Sequence, residues 1–253
     1  MQIATHGILA ASASAAAPSF SNTKSIDLDG VDDFVDCGDP SNLSFGDGST
    51  DSPFTFSAWV KVDDLSTRHS LIKKGDFSGS NNREYYIYID TDGSIKNNIY
   101  SNGVTLNRRG RKTSTGLISA NTWYHIAFTY DGQGGTNASD GIKIYLDGVR
   151  VDNANNQKNI YVAMKNTSFT FRIGQFTNGK MDEVAVFNSE LSASNVTSIY
   201  NSGSPADLTS LSPISWWRNG DGDTFPTLND NGSGSNNGTM TNMTSGDIVT
   251  DVP

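Results

Sequence analysis

Apolar and polar residues alternate with a period of two along much of the chain. Phe54, Phe56, Ala58 and Val60 fall on one side of a segment, and the residues between them are Thr55, Ser57 and Trp59. Successive side chains of a β-strand point to opposite faces, so this segment predicts a strand whose apolar side, the one with Phe54 and Phe56, faces a core. Segments 85–89 and 123–130 are apolar on both sides, which is typical of inner strands in a sandwich. The pattern predicts an all-β protein.

Turn and cap residues separate these segments. Asp147-Gly148 lies between two apolar runs, and this dipeptide favours a two-residue type I′ hairpin turn because both positions require positive φ. A period near 3.6 predicts one short helix near residues 192–200. Ser192 can cap its N-terminus, and Gly203 can follow its end.

The composition agrees with many short strands joined by turns. Only 18% of the 253 residues are charged, and 25 are glycine. The 27 acidic residues include only three glutamates, which leaves 24 aspartates, a residue that favours turns and hard cations. The net charge of -9 opposes nucleic-acid binding, and the basic run 108–112 is interpreted as a solvated loop.

Two further features limit the possibilities. Cys37 is the single cysteine, so an intrachain disulfide is excluded. No apolar run approaches 18 residues, which predicts no membrane insertion.

The composition changes near both ends of the chain. Residues 1–24 are rich in alanine and serine and predict an extended N-terminal arm, because the basic start of a signal peptide is missing. Strand signals fill residues 25–205, which predicts one sandwich domain. Residues 206–253 are rich in Gly, Asn, Asp and Ser and predict a separate C-terminal segment.

Several segments occur in an order that resembles the laminin-G-like, concanavalin A-like lectin/glucanase family. They are residues 28–35, 54–60, 123–132, 144–148 and 179–188. The resemblance implies a two-sheet antiparallel jelly-roll β-sandwich that often carries calcium and usually serves carbohydrate or protein adhesion.

The C-terminal segment departs from the family order. Residues 216–223 and 236–240 resemble a stretch that usually precedes the first core strand of the family, but here they come last. We therefore expect the segment to add a strand, either to its own sandwich or to that of a neighbouring subunit.

The small-residue arm and the polar tail also resemble virion-associated proteins of marine bacteriophages. This resemblance implies a structural or adhesive surface module, either a capsid decoration or a tail or fibre protein. It implies a homo-oligomer on the virion surface, with other virion subunits as partners. The alternative is an extracellular or cell-surface location.

The family resemblance and the residue types give two candidate sites. A calcium (Ca2+) site requires oxygen ligands near one sheet edge, and the alternative is that these carboxylates cap turns and face water. The candidate metal ligands are Asp29, Asp32, Asp33, Asp182 and Glu183. A glycan site requires an aromatic platform with polar neighbours. The candidate ligand-binding residues are Trp59, Tyr100, Asn102 and Arg108.

Catalysis is not predicted. Glucanases of this fold carry paired carboxylates in a pattern resembling Glu-x-Asp-x-x-Glu, and the chain has no matching motif. The sequence predicts a non-enzymatic surface module with possible glycan binding. A calcium-dependent lectin domain is the alternative, and a glycoside hydrolase dependent on Glu183 is the third.

Overall fold

Two antiparallel β-sheets stack on each other in the structure, a computed structural model that describes residues 20–76, 82–101 and 107–253. The predicted all-β sandwich with one short helix is confirmed. The strands are β1 Ser25–Asp29, β2 Phe34–Asp36, β3 Phe54–Val62, β4 His69–Gly75, β5 Arg83–Ile89, β6 Ile95–Tyr100, β7 Arg108–Thr113, β8 Tyr124–Tyr130, β9 Ile142–Leu146, β10 Val149–Arg150, β11 Asp152–Asn155, β12 Phe171–Ile173, β13 Asn178–Phe187, β14 Ser215–Trp217, β15 Thr227–Leu228, β16 Gly238–Thr241 and β17 Ile248–Val249. The α-helix α1 is Ala193–Tyr200, and 3-10 helices cover Ser41–Leu43, Thr209–Leu211 and Ser245–Asp247.

The strand order places neighbours from distant parts of the chain side by side. The first sheet runs β10-β9-β8-β3-β13-β1-β17, and β14 also pairs with β13. The second sheet runs β11-β7-β6-β5-β4-β12-β2-β16-β15. The main core lies between the sheets and includes Phe54 and Phe56 of the first sheet with Tyr85 and Ile87 of the second. The alternation at residues 54–60 therefore predicted the inward face of β3.

The strand β13 holds the middle of the first sheet. Its first half pairs with β1 and its second half pairs with β14, while β3 follows it on the other side. The register with β3 shifts between Asp182 and Ala185, and Glu183 has φ 47°. This β-bulge re-aims the side chains at the junction of the two halves.

The helix α1 contributes to a second apolar cluster, outside the main core. Val196 and Ile199 are buried there with Phe187 and Trp216. Ser192 accepts a hydrogen bond from the backbone of Asn195, as an N-cap does. The left-handed position at the end of the helix is taken by Asn201 rather than by a glycine, because the short asparagine side chain tolerates that conformation.

The predicted hairpin turn is present between β9 and β10. Asp147 has φ 50° and Gly148 has φ 77°, the positive values that a type I′ turn requires.

Residues beyond position 205 supply strands to both sheets of the same chain. β14 pairs with β13 and β17 pairs with β1 in the first sheet. β16 pairs with β2 in the second sheet. Trp217 on β14 is fully buried and stacks on Phe171 of β12, with ring centroids 5.5 Å apart, so the segment also fills the core between the sheets.

Among the described residues, no helix has the length and apolarity needed to cross a membrane.

Candidate functional site: a tyrosine groove on the second sheet

The outer face of the second sheet is built by alternation along β5 and β6. Tyr85 and Ile87 of β5 enter the core, so Tyr86 and Tyr88 point to the opposite face. Lys96, Asn98 and Tyr100 share that face because they alternate with the core residues of β6 and pair with β5 and β7 in register.

These side chains surround a cavity of about 440 Å³, which we call the tyrosine groove. Its lining is mostly polar, with three phenol rings among guanidinium, ammonium and amide groups. The lining residues are Arg68, Arg83, Tyr86, Tyr88, Asp90, Lys96, Asn98, Tyr100, Arg108 and Asn156.

Aromatic rings and guanidinium groups stack along the groove. Tyr86 and Tyr88 are stacked with ring centroids 4.5 Å apart. The guanidinium of Arg68 lies 4.5 Å from the Tyr88 centroid, and that of Arg83 lies 5.6 Å from the Tyr100 centroid. Stacked planar groups restrict one another's motion, and cation–π contacts stabilise the arrangement. The groove is therefore preorganised rather than assembled from free side chains.

The groove carries a positive charge in a protein whose net charge is -9. Of the described residues that line it, four are basic and Asp90 alone is acidic. Asp90 accepts hydrogen bonds from Arg68 at 3.3 Å and Lys96 at 2.5 Å. Burial acts to raise the pKa of Asp90, but the Lys96 hydrogen bond and the Arg68 charge outweigh it and hold that pKa below its usual value. One carboxylate therefore offsets part of the charge of four cations.

Amide groups close one end of the groove. Asn156 donates to Oδ1 of Asn98 at 2.9 Å and accepts from Arg108 at 3.1 Å. Gly110 permits this approach, because a Cβ there would lie 2.8 Å from Oδ1 of Asn98 and 2.1 Å from the backbone oxygen of Asn97. The side chains at this end are held in place by one another.

One donor at the groove has features that suit a ligand oxygen. Nε of Arg108 is buried and has no hydrogen-bond partner among the described residues. A buried donor without a partner costs free energy that an incoming acceptor would recover. Burial raises the pKa of Tyr86 to about 12, so its hydroxyl stays protonated near neutral pH.

The prediction of Trp59 as a ligand platform is wrong. Its side chain is 3% exposed. The centroid of its ring lies 5.4 Å from that of His125 and 5.8 Å from that of Tyr200. Tyr200 belongs to α1, so the helix end covers the outward face of β3 at this point. The alternation placed Trp59 on the outer face correctly, but it could not show what covers that face.

Two other candidates reach the groove from strands rather than loops. Tyr100 ends β6 and is 3% exposed, and Arg108 begins β7 directly opposite it. The interpretation of residues 108–112 as a solvated loop is therefore wrong. Arg109 shows the physical reason, because it is 6% exposed and donates to the carbonyls of Thr136 and Asn159. Asn102 lies outside the described residues.

The five candidate metal ligands do not form one site. Asp29 at the end of β1 pairs with Asn178 of β13, and Asp182 lies four residues further along β13. Four residues of a strand span roughly 13 Å, so the two acidic groups are far apart.

Asp29, Asp32 and Asp33 form a compact acidic cluster, with carboxylate oxygens within 4.8 Å of one another. Oδ1 of Asp29 accepts hydrogen bonds from the backbone of Val31, Asp32 and Asp33. Burial acts to raise the pKa of Asp29, but these bonds outweigh it and lower that pKa. These hydrogen bonds close the turn between β1 and β2. The same carboxylates offer the oxygen ligands that calcium requires. A calcium ion at this turn stays a prediction.

Asp182 and Glu183 lie at the bulge of β13 in a different setting. Glu183 accepts from the indole of Trp216 at 2.5 Å and from Nε of Arg218 at 3.1 Å. Asn22 donates to Asp182 at 2.8 Å. Burial raises the pKa of Glu183 to about 7 despite the Arg218 charge. Burial and the Glu183 charge also raise the pKa of Asp182 well above its usual value. Arg218 offsets the charge of Glu183, and a cation at this pair stays a prediction.

The three glutamates are each held by a basic side chain. Glu84 pairs with Lys74 at 2.8 Å, and both side chains are fully buried. Glu183 pairs with Arg218, and Glu190 pairs with Lys143. Glycoside hydrolysis requires two carboxyl groups facing each other across a sugar. These ion pairs supply no such arrangement among the glutamates.

Most residues of the tyrosine groove were missed by sequence reasoning. Segment 85–89 was interpreted as apolar on both faces, although Tyr86 and Tyr88 carry hydroxyl groups. The alternation of Ile95 and Ile99 with Lys96 and Asn98 was the available signal, since it indicates a strand with one polar face. Arg68, Arg83 and Asn156 come from other segments, and no local pattern connects them.

Comparisons with known proteins agree with this architecture. A family model described as the concanavalin A-like lectin/glucanases superfamily matches residues 29–197. A solved structure from Bacteroides ovatus ATCC 8483, described provisionally as a carbohydrate binding protein, is 20% identical with a TM-score of 0.62. The match covers 91% of this chain and 60% of that chain.

Two further solved structures match part of the chain. The binding domain of botulinum neurotoxin DC in complex with SialylT is 17% identical, with a TM-score of 0.43, covering 60% of this chain and 35% of that chain. A Trypanosoma rangeli sialidase is 19% identical, with a TM-score of 0.41, covering 59% of this chain and 22% of that chain. None of the curated proteins matches the chain. From the family match and the two-sheet architecture together, the chain belongs to the concanavalin A-like lectin/glucanases superfamily.

Proposed function

We propose that this protein is a non-enzymatic glycan-binding module whose ligand lies in the tyrosine groove. The observation that carries the proposal is the concentration of stacked phenol rings, guanidinium groups and fixed amides around one open cavity. Sugars present apolar C–H faces and many hydroxyl groups, and such a lining can meet both. The Bacteroides ovatus protein, described provisionally as carbohydrate binding, supports this choice of ligand.

The groove favours binding over bond cleavage. Asp90 is the one acid in the described part of its lining, and it accepts hydrogen bonds from two cations. A general acid requires a pKa raised towards neutrality, whereas the pKa of Asp90 is lowered. The lining residues that the structure describes include no second carboxyl group for a paired mechanism.

A glycan array followed by calorimetry tests the proposal. We expect Tyr86→Ala to weaken the best ligand at least about fivefold, because the aromatic contact contributes about 1 kcal/mol beyond its buried area. Tyr86→Phe retains the ring and separates its contribution from that of the hydroxyl. Val149→Ala is the matched surface control, since Val149 is exposed on β10 of the other sheet.

Two outcomes would contradict the proposal. One is an array without reproducible binding by the folded protein. The other is a ligand whose affinity is the same for the wild type, Tyr86→Ala and Arg108→Gln.

The biological setting stays a prediction. We propose that the module works on an exposed surface, either of a virus particle, as a capsid decoration or fibre protein, or of a cell, and as an oligomer. Sedimentation at micromolar concentration measures the assembly, and labelled antibodies on native particles measure the location. A monomer that is absent from particle and cell surfaces would contradict this part.

A further inference from the structure

A second cavity lies beside the tyrosine groove on the second sheet. It has a volume of about 640 Å³ and lies between β4 and β12. Lys73, Arg172 and Asp76 give it two cations and one acid, and Phe176 lines it. We call it the β12 cavity.

Phe176 has an unusual conformation at this cavity. Its φ is 66°, and its side chain is 47% exposed. A bulky residue in the left-handed region is strained, and such strain collects at binding sites. Nζ of Lys73 lies 5.2 Å from the ring centroid. An aromatic face is therefore presented to solvent beside a cation.

Cross-strand pairing joins the two cavities in one row. Arg172 of β12 lies opposite Lys73 of β4, Lys73 lies opposite Tyr86 of β5, and Tyr86 lies opposite Asn98 of β6. Directly paired residues of antiparallel strands share a face. Three strand spacings give a row of roughly 14 Å. A ligand lying along this row runs across the strands and needs several sugar units to reach both ends.

The row concentrates positive charge. Among the described lining residues, the four basic residues of the tyrosine groove and the two of the β12 cavity make six, against two acids, Asp90 and Asp76. Asp36, outside the lining, lies 3.7 Å from Arg172. The chain has only 18 lysines and arginines in total and a net charge of -9. Four of the six are arginines, whose planar groups bind carboxylate and sulfate oxygens in pairs.

We propose that the ligand is an anionic polysaccharide chain that occupies both cavities, with its carboxylate or sulfate groups on these cations. This inference rests on the proposed glycan-binding function and specifies the charge and length of its ligand. The family membership favours a sugar over a nucleic acid, and the acidic remainder of the protein opposes the long phosphate backbone of a nucleic acid.

Calorimetry with charge-matched oligosaccharides tests the inference. The carboxylate arm compares a galacturonate hexasaccharide with its neutral methyl ester, and the sulfate arm compares chondroitin sulfate with desulfated chondroitin. We expect the more highly charged member of at least one pair to bind at least about tenfold more tightly, as gaining a charge-assisted hydrogen bond provides. We also expect that advantage to decrease at high salt.

Variants show where on the second sheet the oligosaccharide binds. Arg172→Gln should weaken the hexasaccharide several-fold and leave a disaccharide held in the tyrosine groove unchanged. Arg68→Gln should weaken both. Lys143→Gln changes the charge equally on the first sheet and should weaken neither. If Arg172→Gln lowers the melting temperature, Lys73→Gln is the second variant at this cavity, and its melting temperature is checked in the same way.

Different results would contradict the anionic ligand and the proposed glycan binding. Equal binding of the more and the less highly charged member in both arms, with loss on Tyr86→Ala, would overturn the anionic chain and leave glycan binding standing. An unaffected hexasaccharide in Arg172→Gln and Lys73→Gln would overturn the two-cavity ligand. Tighter binding of single-stranded DNA than of any glycan would overturn the ligand class. No binding of any sugar would remove the proposed function as well.

Discussion

At the scale of single residues, the charge of Lys73 makes the proposed binding of an anionic ligand depend on pH. Burial lowers the pKa of Lys73 to about 8, the positive charges of Arg172 and Arg83 act in the same direction, and Asp76 opposes them. The phenol of Tyr86, directly opposite, stays neutral because its pKa is about 12. Lys73 is therefore charged below about pH 8 and neutral above it.

We expect binding of an anionic oligosaccharide to weaken several-fold between about pH 7 and pH 9, because Lys73 loses its charge there while arginine and aspartate side chains do not titrate. Calorimetry across this range measures the effect. Lys73→Arg keeps the charge and should remove most of the pH dependence. An equally steep profile in that variant would show that another group titrates.

His125 gives a second residue-scale prediction, for stability. It is fully buried on β8, Nε2 lies 2.8 Å from the Ser57 hydroxyl, and Nδ1 has no partner among the described residues. Burial lowers the pKa of His125 to about 3. The unfolded chain therefore binds a proton that the folded chain does not, and stability falls as pH falls from about 6.5 towards 3.

This histidine should contribute a loss of about 2 kcal/mol in the free energy of unfolding between about pH 7 and pH 5. Glu183 acts oppositely, since its raised pKa makes the folded state gain stability as pH falls through about 7. The comparison is therefore between the wild type and His125→Gln, by urea unfolding at both pH values. A wild-type slope that is unchanged in His125→Gln would contradict the assignment.

At the scale of elements, the strand β14 ties the C-terminal segment to the core. Trp217 is fully buried, stacks on Phe171 and donates to the carbonyl of Asn236 at 2.8 Å. Its ring lies between the sheets, so its removal leaves a cavity that the strands cannot easily close.

We expect Trp217→Ala to lower the free energy of unfolding by about 3–5 kcal/mol, the usual cost of removing a large buried side chain. Val31→Ala is the control, since Val31 is 69% exposed and its truncation should change the same quantity by less than about 0.5 kcal/mol. Urea unfolding measures both. A change below about 1 kcal/mol for Trp217→Ala would mean that β14 is not an integral part of the fold.

At the scale of the whole molecule, the acidic turn and the tyrosine groove are separate features. Asp29, Asp32 and Asp33 close the turn between β1 and β2, and none of them lines either cavity. The groove's acid, Asp90, is already bound to Arg68 and Lys96.

We therefore expect glycan binding to persist in the presence of EDTA, in contrast to a calcium-dependent lectin. If the acidic turn binds calcium, the chelator should lower the melting temperature, and Asp32→Asn should remove that effect. Affinity and melting temperature measured with calcium and with EDTA distinguish the two roles. Loss of glycan binding in EDTA would place a cation in the ligand site.

The sequence determined the local structure and the fold class. Alternation fixed the inward face of β3, and Asp147-Gly148 fixed a hairpin, because side-chain direction and backbone dihedrals follow from neighbouring residues alone. Ser192 fixed the start of the helix for the same reason. The ordered segments also indicated the family, and most of them are the neighbouring strands β9, β8, β3, β13 and β1 of the first sheet.

Only the tertiary structure decided which surfaces are open and which residues meet. α1 covers Trp59 on the outer face of β3, whereas the outer face of β5 and β6 stays accessible around Tyr86. The sequences of β3 and β5 look alike, so they do not reveal this difference. Arg172, Lys73, Tyr86 and Asn98 become neighbours through pairing between strands far apart in the chain. The pairing of β1 likewise separates Asp29 from Asp182. Residue patterns report the environment of a position along its own strand, whereas a site depends on which strands lie beside it and what packs above them.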